Sequence, residues 1–144
     1  MLSQAKLNHA SLSRRDWLTL GSVTVVASIM MVLLVQAFAL AFWPDIKSFD
    51  PLNSFLRSAL FTAVPVAGAT FLFAFLDSRM AEPAGLFNKI AIAVLIVSII
   101  PDFLLPVANK IFLASSVTAF LHVVAASMTV MILQQGYKWL KPAV

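Results

Sequence analysis

Residues 18–42 read LTLGSVTVVASIMMVLLVQAFALAF, a run without one charged side chain. A helix rises about 1.5 Å per residue and needs about 20 apolar residues to cross the hydrocarbon of a bilayer, so this segment is long enough to span. Trp17 and Trp43 bracket it with amphipathic rings suited to the headgroup level. Pro44 then stops the helix, because it has no amide to donate.

Three more stretches have the same character. One runs from about Ser58 to Leu76 and closes with Asp77, Ser78 and Arg79. The next begins near Leu86, after the breakers Pro83 and Gly85, and fades between Pro101 and Pro106. The last runs from about Ile111 to Leu133 and leaves through Gln134, Gln135, Gly136, Tyr137, Lys138 and Trp139, an interfacial composition. Membrane strands would alternate apolar and polar residues, and these runs are continuously apolar. The sequence predicts an all-α polytopic membrane protein, an antiparallel bundle of four transmembrane helices with spans at about 18–42, 58–76, 86–106 and 111–133. It reads as one domain over 17–139, with polar tails at 1–16 and 140–144.

Composition supports lipid as the solvent. The chain is 61% hydrophobic and 11% charged, whereas soluble domains carry roughly a quarter charged residues. It has no cysteine, which removes disulfide frameworks and thiolate metal sites. The net charge of +4 does not point to nucleic acid, because the basic residues sit at the edges of the apolar runs. Lys6, Arg14, Arg15, Arg79, Lys89, Lys138 and Lys141 fall on one side of the four spans, and Lys47, Arg57 and Lys110 on the other. The excess predicts cytoplasmic N- and C-termini in a bacterial inner membrane. Ser13 to Leu18 also resembles a twin-arginine export motif, with Ala37, Phe38 and Ala39 as a cleavage pattern. Against that reading, the first apolar run is long enough to span and three others follow it. Residues 1–13 are expected to form a frayed or interfacial tail.

Polar side chains within the spans are few, and each costs free energy unless it finds a partner. They are Gln36, Arg57, Asp102 and His122, one from each span, all at or outward of mid-membrane; together they form a candidate polar cluster. At helical spacing His122 shares its face with Ser115, Thr118, Ala119, Ala125, Ala126 and Thr129, all small or hydroxylated. That face is expected to pack against other helices and bury the imidazole. Three roles are open to it: a hydrogen bond between helices, a proton relay, or ligation of a haem or pigment metal. Asp102 follows Pro101 and has two readings, a partner of His122 or an outer-interface residue paired with Arg57 or Lys110. Pro65 frees the carbonyl of Phe61 and, like Pro101, marks a candidate kink. Ala63, Ala67 and Gly68, with Ser115, Ala119 and Ala126, are the candidate helix-packing positions.

No phosphate-binding glycine loop, nucleophile with its base, or metal-ligand cluster is present in the sequence. No catalytic residue, metal or cofactor is assigned.

Arg57 opening the second span, the Ala/Gly-rich segment Ala63 to Thr70, the Ser98 to Asp102 sequence SIIPD and the Leu121 to Ala126 sequence LHVVAA carry a family resemblance over the last three spans. They resemble the short bacterial four-span membrane proteins of domain of unknown function 6069. The resemblance implies a small multi-pass protein without an assigned activity, and it carries over no catalytic residues. The function expected is that of a non-enzymatic accessory or scaffold subunit acting through helix packing. Its partners would be the lipid bilayer and a larger membrane complex or further copies of itself. The alternatives are a small transporter or proton conductor using His122 and Asp102, and a haem- or pigment-binding electron-transfer subunit.

Overall fold

A computed structural model describes residues 11–141. Four helices, each long and apolar enough to cross a membrane, pack antiparallel: α1 (Arg14–Phe42), α2 (Phe55–Arg79), α3 (Pro83–Leu104) and α4 (Phe112–Leu140). We call the end of the bundle where α1 begins and α4 finishes the terminal end, and the opposite one the loop end. The expected tails lie largely outside the described residues, at 1–10 and 142–144.

Local chemistry sets the helix starts. Ser13 and Asp16 form a capping box on α1: the Ser13 hydroxyl accepts from the Asp16 amide at 3.2 Å, and the Asp16 carboxylate accepts from the Ser13 amide at 3.3 Å. Ser54 caps α2 by accepting from the Arg57 amide at 3.2 Å. Pro83 occupies the first turn of α3, where its missing amide costs nothing. At the other end of α3, Lys110 donates to the carbonyls of Phe103 and Leu105, which the helix leaves unpaired. The helix continues through Pro101 and Asp102 and ends at Leu104, within the interval where the sequence has it fade.

Helix α1 packs on both α2 and α4, and α3 packs mainly on α4, while α2 and α3 make little contact. The interior has two apolar centres. At the terminal end Trp17, Leu20, Phe73, Phe87, Leu133 and Tyr137 pack together. At the loop end Val32, Ala39, Ala114, Val117 and Leu121 pack with Ile46, Phe49 and Leu52.

Those last three belong to a segment not anticipated as structure. Residues Pro44–Ser48 and Asp50–Leu52 form two short 3-10 turns. A 3-10 helix repeats every three residues, so Ile46, Phe49 and Leu52 fall on one side and plug the bundle.

Between the two centres the helices meet through small and hydroxylated residues. Thr24, Ser28 and Thr129 are buried there, and the Ser28 and Thr129 hydroxyls lie 3.4 Å apart. Outward, the surface carries Val26, Leu60, Phe71 and Ile96, all exposed. Water does not tolerate such a continuous apolar surface, and hydrocarbon does.

Candidate functional site

Of the four polar residues singled out in the spans, the fold brings two into contact. His122 on α4 and Asp102 on α3 approach to 3.5 Å between Nε2 and Oδ2. The register is simple: the two residues stand about 29 Å (Asp102) and about 27 Å (His122) from the terminal ends of their helices at 1.5 Å per residue. The contact is not a formed hydrogen bond, since Asp102 Oδ2 is buried and accepts none. Asp102 is mostly covered, with 12% of its side chain exposed, whereas 36% of the His122 side chain remains open.

Gln36 and Arg57 go elsewhere. Gln36 is fully buried and donates from Nε2 to the Leu52 carbonyl at 2.9 Å, which ties α1 to the second 3-10 turn. Arg57 pairs with Asp50 at 2.5 Å and also donates to the Asp50 carbonyl at 2.9 Å. Lys110 is occupied by the end of α3. The contact shown for Asp102 is therefore His122, while Arg57 pairs with Asp50 instead.

The expectation of a fully buried imidazole also needs correction, and the reason lies in the helix arrangement. Phe73 of α2 stacks on Phe87 of α3 at 4.5 Å at the terminal end, and beyond that contact a lateral groove of about 550 Å³ runs between the two helices. Leu60, Phe61 and Pro65 line one wall, Ala91, Leu95 and Ser98 the other, and His122, Ala125, Ala126 and Thr129 form the floor; Arg57 stands at its mouth. The imidazole therefore faces a mostly apolar trough. Chemically the pair can hold or pass one proton, or offer a hydrogen bond to whatever enters the groove. Among the described residues no three His, Cys, Asp or Glu side chains gather as a metal ion requires.

The small-residue positions divide between the interior and the surface. Ser115 is buried, and Ala63, Ala67, Ala119 and Ala126 are half-buried. Gly68 is exposed, with nothing within 4 Å of where a side chain would begin. The close approaches occur at two other glycines. A Cβ on Gly21 would lie 2.7 Å from Thr70 Cγ2, and one on Gly136 would strike the Leu20 side chain. Pro65 and Pro101 both lie inside their helices.

A second polar centre was read in the sequence only as the end of a span. Asp77 is fully buried at the terminal end. Its carboxylate accepts from the Leu12 amide at 2.9 Å and from the Tyr137 hydroxyl at 2.6 Å. Lys141 lies 3.9 Å from the same carboxylate and donates to the Tyr137 hydroxyl at 2.6 Å. The Tyr137 ring stacks on Trp17 at 6.0 Å and meets Phe73 at 5.1 Å, so the polar knot is walled by aromatic rings. Helical spacing carried the missed signal: Asp77 continues the stripe Thr62, Val66, Thr70 and Phe73, which is the buried face of α2.

Residues 8–138 match a family of unknown function, DUF6069. The chain belongs to this family. No curated protein and no solved structure matches the chain. Membership extends the resemblance from the last three spans to the whole bundle and assigns no activity to it.

Proposed function

We propose that the protein is a non-enzymatic accessory subunit of the bacterial inner membrane, with both termini cytoplasmic, and that it works by receiving an apolar helix of a partner in the groove between α2 and α3. One observation carries this reading: the half-open His122 imidazole. Helix α4 has 29 residues, about 44 Å in length, and His122 stands about 6 Å outward of its middle, inside a hydrocarbon layer about 30 Å thick. A polar ring facing acyl chains at that depth is costly, and a partner helix bearing a hydroxyl or amide would remove the cost. The small floor residues Ala125 and Ala126 let such a helix come close.

The test is co-purification in mild detergent. The wild-type chain should carry a stoichiometric membrane partner, and Ala91→Trp, which fills the groove from α3, should release it. A homogeneous monomer that is already active by itself would rule the reading out.

The 3.5 Å contact between His122 and Asp102 favours a second reading, a proton-conducting or small transport protein. It predicts a proton flux in proteoliposomes that falls at least tenfold in both His122→Ala and Asp102→Asn. Equal flux in all three would remove these residues from any such path.

A further inference from the structure

The open cleft along α1 and α2 at the terminal end is unrelated to the His122 groove and has a volume of about 840 Å³. Its mouth is polar: Arg14 and Ser11 line it before and at the start of α1, and Ser78 faces them from the last turn of α2. Its depth is apolar, bounded by Val25 and Val26 on α1 and by Ala67 and Phe71 on α2. From Arg14 to Val26 the helix rises about 18 Å, slightly more than the roughly 15 Å of one leaflet's hydrocarbon. A cationic head site thus opens onto a channel as deep as one acyl chain.

Charge selects the occupant. Among the described residues, Arg14, Arg15, Arg79, Lys89, Lys138 and Lys141 collect at the terminal end against Asp16, Glu82 and the buried Asp77. At the loop end Lys47, Arg57 and Lys110 are balanced by Asp45, Asp50 and Asp102. Arg14 also sits in the first turn of α1, where the helix dipole disfavours a cation, and it takes no part in the ion pairs formed among the described residues. An anion outside the chain would offset both terms.

We infer that this cleft binds one anionic phospholipid of the adjoining leaflet, its phosphate on the Arg14 guanidinium beside the Ser11 hydroxyl and one acyl chain lying in the cleft along the seam of α1 and α2. A zwitterionic lipid brings its own cation to the same arginine and is discriminated against.

Native mass spectrometry of the purified full chain tests this, with phosphatidylglycerol and phosphatidylcholine of identical chains titrated into the micelles. The wild type should retain one phosphatidylglycerol about tenfold more tightly than phosphatidylcholine. Arg14→Gln, an exposed and structurally mild change, should bring the two lipids level. Ala67→Phe should weaken both, while Arg79→Gln, outside the cleft, should leave the preference intact. Equal retention of the two lipids by the wild type, or an unchanged preference in Arg14→Gln, would overturn the assignment. So would displacement of the lipid by millimolar inorganic phosphate, because the site would then read a free anion and not a lipid.

Discussion

The two polar centres of this bundle sit at opposite ends and are built on opposite principles. Asp77 is fully buried and satisfied by a backbone amide, a phenol and a nearby ammonium, inside a wall of aromatic rings. The His122 and Asp102 pair is looser: the contact is 3.5 Å, one carboxylate oxygen accepts nothing, and the imidazole opens on a groove. A buried carboxylate costs free energy unless its lone pairs are used, so the satisfied centre is the one expected to serve stability. The second leaves hydrogen-bonding capacity unspent, and the proposed partner contact depends on that capacity.

The comparison breaks most sharply at Asp77. Asp77→Ala leaves the Leu12 amide and the Tyr137 hydroxyl without their acceptor and Lys141 without its counter-charge. Removal of one partner from such a buried network costs about 3 to 5 kcal/mol. Unfolding in detergent by urea or heat should show that loss, with Asp77→Asn recovering part of it. A loss under about 1 kcal/mol would mean that the terminal end is not the stability centre.

Gly21→Ala probes the seam that connects this end to the middle of the bundle. The new methyl meets Thr70, a β-branched side chain whose hydroxyl already bonds the Val66 carbonyl at 3.0 Å, so it has little freedom to turn away. Overpacking of this kind costs about 1 to 3 kcal/mol. Gly136→Ala should cost less, because the atom in its way is the flexible tip of Leu20. Equal losses at the two glycines would contradict the difference in stiffness.

At the other centre, His122→Ala and Asp102→Asn should each cost less unfolding free energy than Asp77→Ala, because the 3.5 Å contact is not a formed hydrogen bond and the imidazole is half open. If either matched Asp77→Ala, the pair would be a structural bond and its availability to a partner would be lost. A large effect on partner retention or proton flux with little effect on stability would sharpen the contrast.

How much of this the sequence disclosed follows from what lipid does and does not specify. The number of spans was legible because hydrocarbon imposes length and composition on every crossing. Which helices stay apart was not legible, because lipid tails are as apolar as the side chains that face them, and an open α2/α3 seam costs nothing that composition records. The plug formed by Ile46, Phe49 and Leu52 escaped because a three-residue repeat over so short a stretch resembles neither a helix nor a strand. Asp77 escaped because a charge that ends an apolar run is usually an interfacial residue, and only its place on the buried stripe of α2 says otherwise.

Gln36 decides whether the loop end carries any polar bond that matters to stability. Its Nε2 donates to the Leu52 carbonyl at 2.9 Å, yet its Oε1 is buried without a donor, so one half of the amide stabilises and the other costs. A net hydrogen bond contributes about 1 kcal/mol, and an orphaned buried acceptor costs about 1 to 3 kcal/mol. Gln36→Leu removes both groups at once and places an apolar chain of similar length among Val32, Leu40 and Leu52. The Leu52 carbonyl it abandons is at a turn, where it loses its side-chain donor. These changes nearly cancel, so the variant should unfold within about 1 kcal/mol of the wild type. A loss as large as that of Asp77→Ala would show that the plug is held by this amide and not by its three apolar side chains, and the division between a bonded terminal end and an apolar loop end would fail.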